Sequence, residues 1–249
     1  MQIIISPAKK MREDTDCFAP AGLPRFLPKS RQILAALRAM TPAQLQKLWA
    51  CNDEIAALNL HRLETMDLEA RLTPAVLAYD GIQYQNMAPG VLEEEPLRYL
   101  HRHLRILSGL YGVLAPFDGV TSYRLEMQAR LPVEGSKNLY AFWGSDLADA
   151  LAAESDTILN LASKEYSKAV QPHLPEGVRF ISVSFCQRVG GKLVERATLC
   201  KMARGRMVRW LAVHGIEQPE GAQGFDELDF RFSPEESDET NYIFIKEEK

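Results

Sequence analysis

The chain has 249 residues, 46% of them apolar and 25% charged, which is ample material for one sizeable core. No window approaches the unbroken apolar length that crosses a bilayer. The opening MQIIISPAKK places its apolar run before its charges and is too short for a signal peptide, so a cytoplasmic protein is expected.

The formal net charge of −4 hides a split. Residues 217–249 hold eleven acids against three bases, which leaves the first 216 residues at +4. Cys17, Cys51, Cys186 and Cys200 lie far apart with no CxxC pair, and a domain of this size needs no disulfide staples; they are expected as free, buried thiols.

In chain order, Gln2 to Ser6 is a β-branched run stopped by Pro7, which predicts a buried strand entering a loop that carries Lys9 and Lys10. Prolines make residues 12–29 irregular, and Ile33, Leu34, Leu37 and Met40 then keep helical spacing. Thr41-Pro42 starts a second helix as N-cap and first-turn proline. Residues 75–79 read as a strand or short buried segment, and 93–107 as one helix with Leu97, Leu100, Leu104 and Leu107 along a single face. Residues 156–161, 178–187 and 241–245 read as strands, with a helix over about 194–213. Helices and strands alternate without a strict βαβ rhythm. The pattern predicts an α+β fold: one compact domain over residues 1–249, built on a mixed sheet surrounded by helices.

Residues 187–210 carry seven bases against Glu195 alone. On a helix, Lys201, Arg204, Arg206 and Arg209 fan across the side opposite Leu199, Ala203 and Met207, a face that suits phosphates because neutralising them releases condensed counterions. An ordinary solvated basic face fits the charge pattern equally well. Gly109 and Gly112, three apart in LRILSGLYGVLAPFD, permit a tight turn whose amides suit phosphate oxygens; a structural loop between packed elements is the alternative. Lys9 and the segment Asn160 to Lys168 both put lysines beside strand ends, where they can converge on one cleft. Ser6 to Lys9 has an S-x-x-K spacing, but its proline disfavours the helix and no partner motif occurs. The five histidines lack ligand spacing, so neither a metal nor another cofactor is expected.

The segments ISPAKK, AYDGIQY, LRILSGLYGVLAPFD, YRLEM, LYAFWG and NLASKEYSKAV, with ARG at Ala203 to Gly205, resemble in content and order the YaaA family of bacterial peroxide-stress proteins. The resemblance implies a family-specific single-domain fold with a helix-hairpin-helix element, DNA binding beside a basic cleft, protection of DNA during peroxide stress and lowered free intracellular iron. Carried onto this chain, Ser108, Gly109, Leu110, Tyr111 and Gly112 become the hairpin, and Lys9, Lys164, Lys168, Lys201, Arg204, Arg206 and Arg209 the cationic contacts. The expected partner is DNA, gripped by its backbone with little sequence specificity, and the expected state a monomer. Two alternatives remain: a nucleic-acid-processing enzyme with Lys9 or Lys164 as nucleophile, or an enzyme on an anionic small metabolite.

Overall fold

The computed structural model describes residues 1–14 and 18–246. Cys17 and the terminal Glu247, Glu248 and Lys249 lie outside the described residues, while Cys51, Cys186 and Cys200 are free thiols.

The chain begins with β1 (Gln2–Ile5) and β2 (Lys10–Met11), followed by helices α1 (Leu27–Arg38), α2 (Pro42–Trp49) and α3 (Asp53–Thr65). Short pieces come next: β3 (Thr73–Pro74), α4 (Ala75–Ala78), β4 (Tyr79–Asp80) and α5 (Ile82–Met87). α6 (Glu94–His103) runs directly into β5 (Leu104–Ser108), which turns into β6 (Gly112–Leu114) and β7 (Gly119–Val120). Then come α7 (Leu139–Trp143), α8 (Asp146–Ala152), β8 (Thr157–Asn160), α9 (Lys164–Ser167) and the long β9 (Arg179–Val189). The last elements are β10 (Lys192–Val194), α10 (Ala197–Val213), β11 (Phe230–Phe232) and β12 (Asn241–Lys246).

Eight strands form one mixed sheet in the order β11-β12-β9-β8-β1-β5-β6, with β10 attached to β9. The five central strands run parallel, from β12 through β9, β8 and β1 to β5. β6 and β11 close the two ends antiparallel. The sequence explains the centre: every residue of QIII in β1 and TILN in β8 is buried, the continuous apolar run of a parallel strand covered on both faces. α6 packs on β1 and β5, and α10 packs on β9, α6 and α5. The mixed sheet wrapped by helices is the architecture that the sequence predicts.

Two local expectations are corrected, the 93–107 helix and the helix-hairpin-helix. Residues 93–107 are not one helix, because the chain leaves α6 at His103 and pairs residue by residue with β1 from Leu104 onward. Of the two readings of residues 75–79, the short buried segment holds: 75–78 form one buried helical turn, with strand geometry only at Tyr79 and Asp80. The Ser108 to Gly112 turn joins two antiparallel strands instead of two helices, so it is a β-hairpin and not a helix-hairpin-helix. The acidic segment ends in the strand expected over 241–245, and this β12 lies inside the sheet between β11 and β9. Thr41 caps α2 with the full reciprocal box to Gln44, as expected. No helix among the described residues is long and apolar enough to cross a membrane.

Candidate functional site

From β1 the chain crosses to β5 on one side; from β8 it crosses to β9 on the other. β1 and β8 are neighbours, so the loops after their C-terminal ends diverge and leave a crevice at the point where an open parallel sheet binds ligands. A cleft of about 390 Å³ opens there. Its walls come from four places: Ser6 to Lys10 after β1, Asp80 to Tyr84 around the start of α5, Tyr123 to Glu126, and Ser163, Glu165 and Tyr166 after β8. Lys201 and Arg204 of α10 complete it.

Hydrogen bonds lock these walls together. Ser6 Oγ accepts from Ser163 N at 2.8 Å and lies 3.1 Å from Ser163 Oγ, while Tyr84 OH donates to Ser6 O at 2.9 Å. α10 approaches α5 so closely that a Cβ on Gly205 would fall 2.0 Å from Gln83 O, a spacing that only glycine tolerates. Arg204, the residue before that joint, and Gln83 both line the cleft. The 123–126 wall is pinned from behind, where Tyr123 OH meets Tyr79 OH at 2.8 Å and Ser108 Oγ at 2.6 Å.

The cleft gathers five cations, Lys9, Lys10, Arg124, Lys201 and Arg204, against three carboxylates, Asp80, Glu126 and Glu165. Lys9 Nζ lies 2.6 Å from Glu126 Oε1, and Arg124 Nη2 approaches the same oxygen at 4.0 Å. Lys10 pairs with Asp80 at 2.7 Å; its hydrogen bond, with that of Gln85, holds the Asp80 carboxyl below the usual range. Burial lifts the Glu165 carboxyl above its ordinary value and lowers that of the Arg204 guanidinium. Arg124 Nε, Arg204 Nε and Gln83 Nε2 are buried without a hydrogen-bond partner among the described residues. A site with cationic excess and unspent donors favours an oxyanion.

Of the residues expected from sequence, Lys9, Lys201 and Arg204 meet in this cleft. Lys164 begins α9 between two lining residues and is exposed to solvent. Lys168 sits 5.3 Å over the Tyr140 ring, outside the wall. Arg209 is engaged internally, donating to Met87 O and Ala88 O at 3.3 and 3.2 Å, and so caps the end of α5. Arg206 lies 3.6 Å from Glu227. The acidic segment thus answers part of the basic one, with Arg188 also held at 3.1 Å by Glu236.

The turn from Ser108 to Gly112 is sealed. Ser108, Leu110 and Tyr111 are 0% exposed, and the amides of Leu110 and Tyr111 both donate to Ser108 Oγ, at 3.2 and 2.9 Å. Gly109 O accepts from Trp143 Nε1 at 3.2 Å. These groups are spent within the fold and cannot reach a phosphate, which corrects the expectation of a DNA-gripping hairpin. The turn instead braces the cleft: a Cβ on Gly109 would fall 2.9 Å from Leu125 O, so its glycine lets it support the 123–126 wall directly.

Ser6, Gln83, Tyr84, Arg124, Glu126 and Glu165 went unassigned from sequence, although each lies inside a quoted segment. Their signal was the set of segments itself. ISPAKK, AYDGIQY, YRLEM, NLASKEYSKAV and ARG, scattered along the chain, each contribute a lining residue.

Comparison with known proteins matches the same breadth of chain. The family model described as peroxide stress protein YaaA matches residues 1–236. A UPF0246 protein of Lachnoclostridium phytofermentans is 48% identical over 248 residues, covering 100% of this chain and 97% of that protein. One from Agathobacter rectalis is 48% identical over 244 residues, 98% of each chain, and one from Desulfitobacterium hafniense is 46% identical over 246 residues, 99% of this chain and 98% of that one. With a match of this length and the family's segments converging on one cleft, the chain belongs to the YaaA family of peroxide-stress proteins.

Proposed function

We propose that this protein works in the cytoplasm during peroxide stress by binding DNA through phosphate contacts at the β1–β8 cleft, shielding it from oxidative damage. The observation that carries the reading is the meeting of Lys9, Lys10, Arg124, Lys201 and Arg204 at one switch-point crevice, with guanidinium N–H groups of Arg124 and Arg204 unspent among the described residues. Phosphate contacts of this kind position a strand without reading its sequence. The grip is the cleft, not the Ser108 to Gly112 turn. Lowered free iron is proposed as an indirect consequence, since no group of three or more His, Cys, Asp or Glu side chains gathers to hold a metal among the described residues.

Fluorescence anisotropy of a labelled DNA tests the reading. Log affinity should fall linearly with log salt by several phosphates' worth of slope, and Lys201→Glu with Arg204→Glu should weaken binding tenfold or more. A flat salt response, or an unchanged double variant, overturns it.

A second reading is favoured by Lys9 and Glu165 lining the same cleft, the carboxyl lifted by burial as in general acids. In a lyase-type reaction the Lys9 amine would attack a sugar aldehyde carbon, losing water to form a Schiff base. Borohydride trapping on abasic DNA yields a covalent adduct if this occurs and none if binding is the whole activity.

A further inference from the structure

One part of the cleft carries donors with nothing to hold. Gln83 is only 7% exposed, and neither its Nε2 nor Arg204 Nε finds a hydrogen-bond partner among the described residues. Leaving such a buried group unsatisfied is destabilising, and an arriving oxyanion would relieve it. Both side chains line the same cleft, and the Gly205 joint packs α10 against the Gln83 backbone. Lys201, exposed one turn earlier on α10, also lines the cleft.

The remaining wall is of another kind. Ala8, Ile82 and Leu125, with the rings of Tyr84, Tyr123 and Tyr166, give it an apolar character. The hydroxyls of Tyr84 and Tyr123 are already engaged within the protein and their rings are buried, so Ile82, with Ala8 beside it, is the accessible part of this wall. A bare phosphate needs no apolar wall, and a duplex gripped only by its backbone needs no recess. A nucleotide uses both: phosphate on the donors, base on the apolar surface. The 390 Å³ volume suits one such unit.

Resting on the nucleic-acid reading above, we infer that the cleft is a subsite for a single unpaired nucleotide, its phosphate held by Gln83 and Arg204 and its base covered by the apolar wall. The protein then prefers strands in which a nucleotide is already unstacked, because extruding one from a paired duplex costs a few kcal/mol.

The test compares a labelled perfect duplex with the same duplex carrying one bulged thymidine, using thymidine 5′-monophosphate and thymidine as competitors against the full chain. The bulged duplex should bind about tenfold more tightly, and the monophosphate should compete where the nucleoside does not. Gln83→Met, which keeps the side chain's length and removes its amide, should erase the preference. Arg204→Met is the second variant, and circular dichroism checks that both fold. Equal affinity for the two duplexes, or a preference that survives both substitutions, overturns the subsite while leaving DNA binding intact. If neither duplex binds but the monophosphate does, in a way that Gln83→Met abolishes, the subsite stands and the DNA reading falls.

Discussion

The Ser108 to Gly112 turn and the β1–β8 cleft both combine glycines with polar groups near strand ends, yet they treat those groups in opposite ways. At the turn, the amides of Leu110 and Tyr111 are consumed by Ser108 Oγ and the carbonyl of Gly109 by Trp143. At the cleft, Gln83, Arg124 and Arg204 keep buried N–H groups without partners among the described residues. Donors closed within the fold suit a support role, whereas open donors that line a cleft leave a ligand something to bind.

The largest expected effect falls where the cleft is built. Gly205→Ala drives a Cβ to 2.0 Å from Gln83 O and 2.9 Å from its carbonyl carbon, so α10 must part from α5. Overpacking of this kind costs about 3 kcal/mol, and thermal denaturation should show a loss of about 10 °C. DNA affinity should fall with it, because Arg204 moves.

Next comes the sealed side. Ser108→Ala strands two amides and one contact of Tyr123 OH. Urea denaturation should report about 2 kcal/mol of lost stability, with DNA affinity reduced only as far as the 123–126 wall shifts. Binding lost with stability unchanged would return the turn to a contact role.

Asp118 lies just beyond β6 and accepts from Ala115 N at 2.9 Å. Burial lifts its carboxyl to about 6 in the fold, above its ordinary value of 3.8. Its contribution is therefore complete below about pH 4 and is lost as pH rises through 6. Asp118→Asn should make the protein more stable at pH 7, by about 2 kcal/mol, with the difference closing towards pH 4. An advantage that is the same at both pH values would remove the carboxyl as its source.

The smallest effect sharpens the cleft. Glu126 Oε1 holds Lys9 at 2.6 Å, in the place that a phosphate oxygen would take. Glu126→Gln frees Lys9 from this competitor, and titration should show about threefold tighter DNA binding at low salt. Weaker binding would mean that Glu126 shapes the site instead of blocking it.

The central sheet was legible because its signals are local. The buried runs of β1 and β8 and the Thr41-Pro42 start of α2 need no knowledge of their partners. β5 was not, since Leu97, Leu100, Leu104 and Leu107 continue a helical stripe past His103, and only pairing with β1 breaks it. α3 was not assigned although Asn52 caps it through Ile55 N and Asp53 and Glu54 fill its first turn, a start signal that lay in the sequence. For the site, charge clustering located Lys201 and Arg204 but equally nominated Arg206 and Arg209. What separates them is tertiary: Glu227 lies across from Arg206, and the end of α5 takes Arg209. Gln83 carries no charge and no motif chemistry, so only its burial in the cleft reveals it.

Hydrogen–deuterium exchange on the full chain, with and without a single-stranded oligonucleotide, tests most directly whether the cleft is the working surface. Protection should appear in residues 6–10, 80–84, 123–126 and 163–166, the four segments that wall it. Protection confined to residues 188–196 and 227–236, with those segments unchanged, would contradict the account.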